Sequence, residues 1–176
     1  MAWVVLMRGV NVGGHKTFRP SALAKELSQF DVVNIGAAGT FVVRKPISQT
    51  RLRAELLRRL PFNAEVMICS DREILNLASA NPFRDEDADK NIVRFVSVLA
   101  RRRRIPSVPL SFPSDGEWLL KVIEVQDRFV LGLYRRQMKV LSCFSKLEKQ
   151  IGAPVTTRNW NTITAIVRVL KRDFGD

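Results

Sequence analysis

Two short stretches hold the residue types that could do chemistry. The first is Arg8-Gly9-Val10-Asn11-Val12-Gly13-Gly14, with Lys16 close behind. Paired glycines let successive backbone N–H groups converge, and such a nest holds an anion. Arg8, Asn11, Gly13, Gly14 and Lys16 are therefore candidates for a phosphate or carboxylate site, with Gly39 of the run Gly36-Ala37-Ala38-Gly39 beside them. The second stretch is Thr157-Arg158-Asn159-Trp160-Asn161-Thr162, placed before the last helix. There Arg158 and Asn159 stand beside the free N–H groups of a helix start, and Trp160 offers a ring for stacking. If both loops lie at one end of a sheet, they form one anion-friendly pocket. Each also has a plainer reading. The first is a tight turn in which Asn11 bonds its own backbone; in the second Thr157, Asn159 or Asn161 caps the helix while Trp160 plugs the core.

No catalytic set stands out. Gly9 to Thr17 misses the phosphate-loop pattern G-x-x-x-x-G-K-[ST] by the inserted His15, and Pro20 delays the helix that would hold the phosphate. A nucleoside triphosphatase is excluded on that ground. His15 is the single histidine and reads as an exposed turn residue. Cys69 and Cys143 have no base beside them in sequence and read as buried apolar groups. Asp85, Glu86, Asp87 and Asp89 suggest a calcium loop, but Lys90 stands where such a loop wants Gly and Val96 where it wants Glu, so no metal or cofactor is expected.

Charge gives a different lead. The chain carries +12, with basic regions at 1–70 and 101–176 flanking an acidic 71–100. A field of that sign attracts polyanions. Arg101, Arg102, Arg103 and Arg104 are the strongest candidates for phosphate-backbone contact, joined by Arg135, Arg136 and Lys139 if the fold brings them together. Base stacking in the manner of RNA-recognition modules is not expected, because Gly39-Thr40-Phe41-Val42-Val43 lacks the required aromatic alternation. With only two cysteines and no stretch approaching the roughly 20 apolar residues of a membrane span, the expected location is the cytoplasm.

The elements that must position these groups follow from periodicity. Ala2 to Met7 reads as a strand buried on both faces. Pro20 opens a helix carrying Leu23 and Leu27 and ending near Phe30, strands follow at Val32–Ile35 and Thr40–Val43, and Ser48 opens a second helix that Pro61 stops. With Glu65–Cys69 as a last strand, residues 1–69 read β-α-β-β-α-β, a ferredoxin-like order. Ser70-Asp71-Arg72-Glu73 has capping-box spacing and opens a linking helix to about Ala80, so 70–90 reads as that helix and an acidic loop. Residues 91–176 repeat the order with losses. They show a strand at Ile92–Leu99, an irregular stretch over Arg101–Gly116, strands at Trp118–Val125 and Phe129–Leu133, a helix begun at Ser145, and a C-terminal helix with Ile163, Ile166, Val167 and Leu170. The expected class is α+β, two ferredoxin-like halves in tandem with the second irregular, in antiparallel or mixed sheets with packed helices.

The Arg8–Gly14 stretch, Asn81-Pro82-Phe83 and Thr157–Thr162, taken in that order, resemble the bacterial family known as domain of unknown function 1697. The resemblance runs the whole length and implies a tandem of ferredoxin-like halves in a cytoplasmic protein, with no activity to carry over. The chain has Ala38-Gly39-Thr40 where the family usually has Ser-Gly-Asn. Three functional expectations result. They are a non-enzymatic binder of nucleic acid or another phosphorylated polyanion, a binder of a small anionic ligand or an undefined enzyme using the two motif loops, and a structural or interaction protein.

Overall fold

The structure, a computed structural model, describes residues 1–105 and 107–172. It is α+β, with an antiparallel sheet of four strands, an antiparallel sheet of five and five α-helices among the described residues. By its contacts the chain divides into two units, Met1–Ser79 together with the C-terminal helix from Thr162, and Ala80–Asn161.

The first unit is built around β1 (Trp3–Arg8), whose Val4, Val5, Leu6 and Met7 are buried on both faces, as the unbroken apolar run requires. It lies between β3 (Thr40–Val43) and β4 (Glu65–Ser70), and β2 (Val32–Asn34) pairs with β3 at the edge. One face, with Val5, Met7, Phe41, Val43, Val66 and Ile68, packs on Leu23 and Ala24 of α1 (Pro20–Glu26) and on Leu52 and Leu56 of α2 (Gln49–Arg59). Pro20 sits in the first turn of α1, where its missing N–H costs nothing. Ser48 caps α2 by accepting from the Arg51 N–H at 3.2 Å. α1 stops at Glu26, and a 3-10 turn over Ser28–Phe30 brings the chain to the end near Phe30.

α3 (Asp71–Ser79) packs against β1 and β4. The capping box forms: Glu73 Oε2 accepts from the Ser70 N–H at 2.7 Å, and Ser70 Oγ from the Glu73 N–H at 3.2 Å. Although a linker in sequence, α3 counts with the first unit. So does most of α5 (Trp160–Arg172), whose Ile163, Ile166 and Leu170 are buried.

In the second unit the sheet order is β6 (Leu110–Phe112), β7 (Leu120–Gln126), β8 (Phe129–Arg135), β5 (Ile92–Leu99), β9 (Val155–Asn159). Phe95, Leu99, Leu120, Val122 and Val130 pack on α4 (Val140–Ile151). Three expectations are corrected. The irregular stretch 101–116 contains β6, an edge strand paired with β7. The helix expected from Ser145 begins at Val140, because Val140, Cys143, Leu147 and Ile151 form one buried stripe; Ser145 Oγ bonds Leu141 O inside the helix instead of capping it. Thr157-Arg158-Asn159 is strand, not loop. The β-branched run Val155-Thr156-Thr157 pairs with β5, and a 2.6 Å hydroxyl bond joins Ser97 to Thr157 across the pair.

Candidate functional site

Leaving β1 at Arg8, the chain makes a small hairpin. The Asn11 N–H donates to Lys16 O at 3.2 Å and the His15 N–H to Val12 O at 3.0 Å, leaving Gly13 and Gly14 as the central pair. Their φ values of +57° and +77° are the left-handed pair that a type I′ turn demands and that glycine adopts without strain. The Asn11 side chain ties this turn down: Oδ1 accepts from the Phe18 N–H and Nδ2 donates to Ala37 O, both at 2.9 Å. The N–H groups of Asn11 and His15 are thus spent inside the turn. Arg8 pairs with Glu65, its register partner on β4, at 3.4 Å. His15 and Lys16 are exposed.

Gly39 serves a close approach. At φ +76°, a Cβ here would lie 2.8 Å from both Met7 Cβ and Val10 Cγ2, and its carbonyl accepts from the Met7 N–H at 2.9 Å. It is a packing position and has no open space for a ligand.

The second motif divides its work across β9 and the start of α5. Arg158 is 7% exposed, on a strand edge where its guanidinium donates to Thr156 Oγ1 at 2.8 Å and Thr157 O at 2.9 Å. Burial lowers its pKa from the usual value to about 10, so it stays charged at neutral pH. Asn159 is exposed and Trp160 half-buried, with Phe83 set edge-on to the indole at 5.0 Å between centroids. Phe83 and Trp160 therefore meet within the second unit. Arg8, Asn11, Gly13, Gly14, Lys16 and Gly39 belong to the first unit, Arg158, Asn159 and Trp160 to the second.

Around Trp160 lies a cavity of about 350 Å³ lined by Lys90, Arg94, Arg136, Asp87, Asp89, Asn159 and Asn161, among others. Lys90 and Arg94 are absent from the candidates read from sequence. The signal for Arg94 is present, since it is the one charge in the strand Ile92–Leu99, which is apolar but for Ser97. A charge in such a run needs a partner or a polar opening, and Arg94 donates to Glu86 O while its guanidinium lies 5.9 Å from the Phe83 ring centroid.

Arg101, Arg102, Arg103 and Arg104 follow β5 and are all exposed. The last three border a concavity of about 470 Å³ with Val125 and Asp127. The ion pair described within this run is Arg102 with Asp127 at 3.8 Å, with both side chains about 80% exposed, which is worth little. The Arg103 guanidinium lies 3.2 Å from where a Cβ on Gly152 would stand, at the carbonyl end of α4, a favourable place for a cation. The expected partners are elsewhere. Arg135 pairs in register with Ile92 at the opposite end of β5, and eight residues of strand span roughly 26 Å. Arg135 is also occupied: Nε donates to Trp118 O at 2.8 Å and the guanidinium carbon lies 4.3 Å from the Trp118 ring centroid. Arg136 donates to Lys90 O at 3.1 Å and faces the Trp160 cavity, and exposed Lys139 stands at the N-cap of α4. The basic group read from sequence is therefore two groups, one at each end of β5.

No helix among the described residues is long and apolar enough to cross a membrane. The profile of the family described as "Protein of unknown function (DUF1697)" matches residues 1–109. A solved structure, that of a conserved bacterial protein from Streptococcus pneumoniae, is similar at 16% identity and a TM-score of 0.60, covering 97% of this chain and 98% of that one. At that identity the likeness concerns the fold. No curated protein matches the sequence.

Proposed function

We propose that this chain, which belongs to the DUF1697 family, is a non-enzymatic binder of phosphorylated polyanions, nucleic acid foremost, and that Arg101–Arg104 make the contacts. The observation that carries this reading is the exposure of four consecutive guanidinium groups whose described ion pairing is a single 3.8 Å contact. A backbone phosphate reaching Arg102, Arg103 or Arg104 displaces almost nothing and gains charge-assisted, bidentate bonds. Arg103 has the C-terminal end of α4 behind it, and Lys149 lies in that helix's last turn. The +12 charge would speed encounter with any polyanion.

Contacts of this kind read phosphate, not bases. Binding should be weakly selective among sequences and fall steeply with salt. Titrating labelled single-stranded RNA and DNA of mixed sequence at low and moderate salt tests it. Comparable affinities that drop together as salt rises support the reading; tight binding indifferent to salt, or none at low salt, overturns it.

The sheet order β2-β3-β1-β4 with antiparallel pairs throughout supports reading the first unit as ferredoxin-like, with the second as its irregular counterpart. Two free, buried cysteines are consistent with a reducing cytoplasm. A small anion shared between the two motifs has weaker support, since Asn11 and Arg158 are both engaged by internal bonds.

A further inference from the structure

The geometry points to a second binding site, in the cavity of about 350 Å³ beside Trp160, which we infer takes a nucleoside monophosphate. This site is independent of the polyanion reading. It lies at the end of β5 away from Arg101–Arg104 and uses different cations.

Its lining matches the three parts of such a ligand. Trp160 supplies an aromatic surface, held in place by the edge-on contact with the buried Phe83. Asn159 and Asn161 flank it, and the Asn161 amide carries both donors and an acceptor, as a base edge does. Lys90, Arg94 and Arg136 bring positive charge for the phosphate. Each arginine spends a donor on a backbone carbonyl, Arg94 on Glu86 O and Arg136 on Lys90 O, which orients the guanidinium and leaves others of its five N–H groups for a ligand. Asp87 and Asp89 complete the wall. Carboxylates are acceptors only, which suits ribose hydroxyls, and they limit how much negative charge the cavity accepts. Three cations against two carboxylates favour one phosphate over a di- or triphosphate chain. The volume sits at the small end of ligand pockets, again matching a mononucleotide.

The test uses the full chain and AMP, with adenosine, ribose 5-phosphate and ATP as comparisons, followed by calorimetry and by the indole N–H resonances of Trp3, Trp118 and Trp160. AMP should bind saturably at millimolar concentration or below, shift the Trp160 resonance, and bind roughly tenfold more tightly than adenosine or ribose 5-phosphate. Arg136→Gln should weaken AMP by roughly tenfold without changing the melting temperature, because Arg136 is exposed. Lys90→Gln provides a second exposed probe should Arg136→Gln disturb the fold. Replacing Arg101–Arg104 by Gln should leave AMP affinity unchanged, so this site and the polyanion surface can fail separately. The inference is overturned by an absence of saturable AMP binding, by binding that ignores both Arg136→Gln and Lys90→Gln, by ATP binding more tightly than AMP, or by a shift confined to Trp3 or Trp118.

Discussion

Asn11 and Arg102 occupy exposed turns of opposite character. Asn11 uses both ends of its amide inside the chain, accepting from Phe18 and donating to Ala37, and its own N–H donates to Lys16 O across the hairpin. Arg102 faces water, with one long contact to Asp127. Asn11 is held by bonds inside its own unit, and Arg102 stands at the surface. A residue fully bonded within its own unit cannot offer those bonds to a ligand without loosening the fold, whereas an exposed guanidinium can. Spacing that looks chemical can therefore coincide with internal bonding, while a plain run of charge stands open to solvent.

That contrast breaks if substitutions in the patterned segments leave stability intact. Gly39→Ala should have the largest effect, about 3 kcal/mol by urea unfolding, because the new Cβ meets Met7 and Val10 at a left-handed φ. Arg158→Ala should cost about 2 kcal/mol through loss of its charge-assisted bonds to Thr156 and Thr157, without weakening RNA binding. Asn11→Ala should cost about 1.5 kcal/mol, since the Phe18 N–H and Ala37 carbonyl lose their partner; a loss under about 0.5 kcal/mol would mean the turn is free to serve a ligand. Ser70→Ala should cost about 1 kcal/mol by opening the cap of α3. At the other extreme, Gln at all four positions 101–104 should change stability by no more than about 0.5 kcal/mol.

How legible the molecule is in its sequence depends on how local each signal is. The β-α-β-β-α-β order of residues 1–69 rests on short-range patterns, namely the apolar run after Ala2, Pro20, Ser48 and the Ser70–Glu73 box, and these elements form where periodicity puts them. β9 escaped because Thr157-Arg158-Asn159 reads as polar loop until β5 is beside it to pair and to bury Arg158. α4 escaped at its start because Lys139 is a poor cap by type, and Val140 becomes helical through burial of the stripe it heads. The division of the basic residues was not legible at all. Nothing in the sequence says whether Arg101–Arg104 and Arg135–Arg136 share a patch, and it is the antiparallel register of β5 with β8 that sends them to opposite ends of a strand. The Trp160 cavity depends likewise on the meeting of Phe83, Arg94 and Arg136, which lie far apart along the chain.

The central claim, that Arg101–Arg104 hold phosphate backbones, is tested most directly by anisotropy titration of a short labelled single-stranded RNA over a range of salt, with wild type beside the Gln variant at positions 101–104. If about three to four phosphates are contacted, the wild-type plot of log affinity against log salt should have a slope of roughly −2 to −3. The variant, still folded, should lose most of that slope and nearly all affinity at moderate salt. A variant with wild-type slope and affinity would contradict the account.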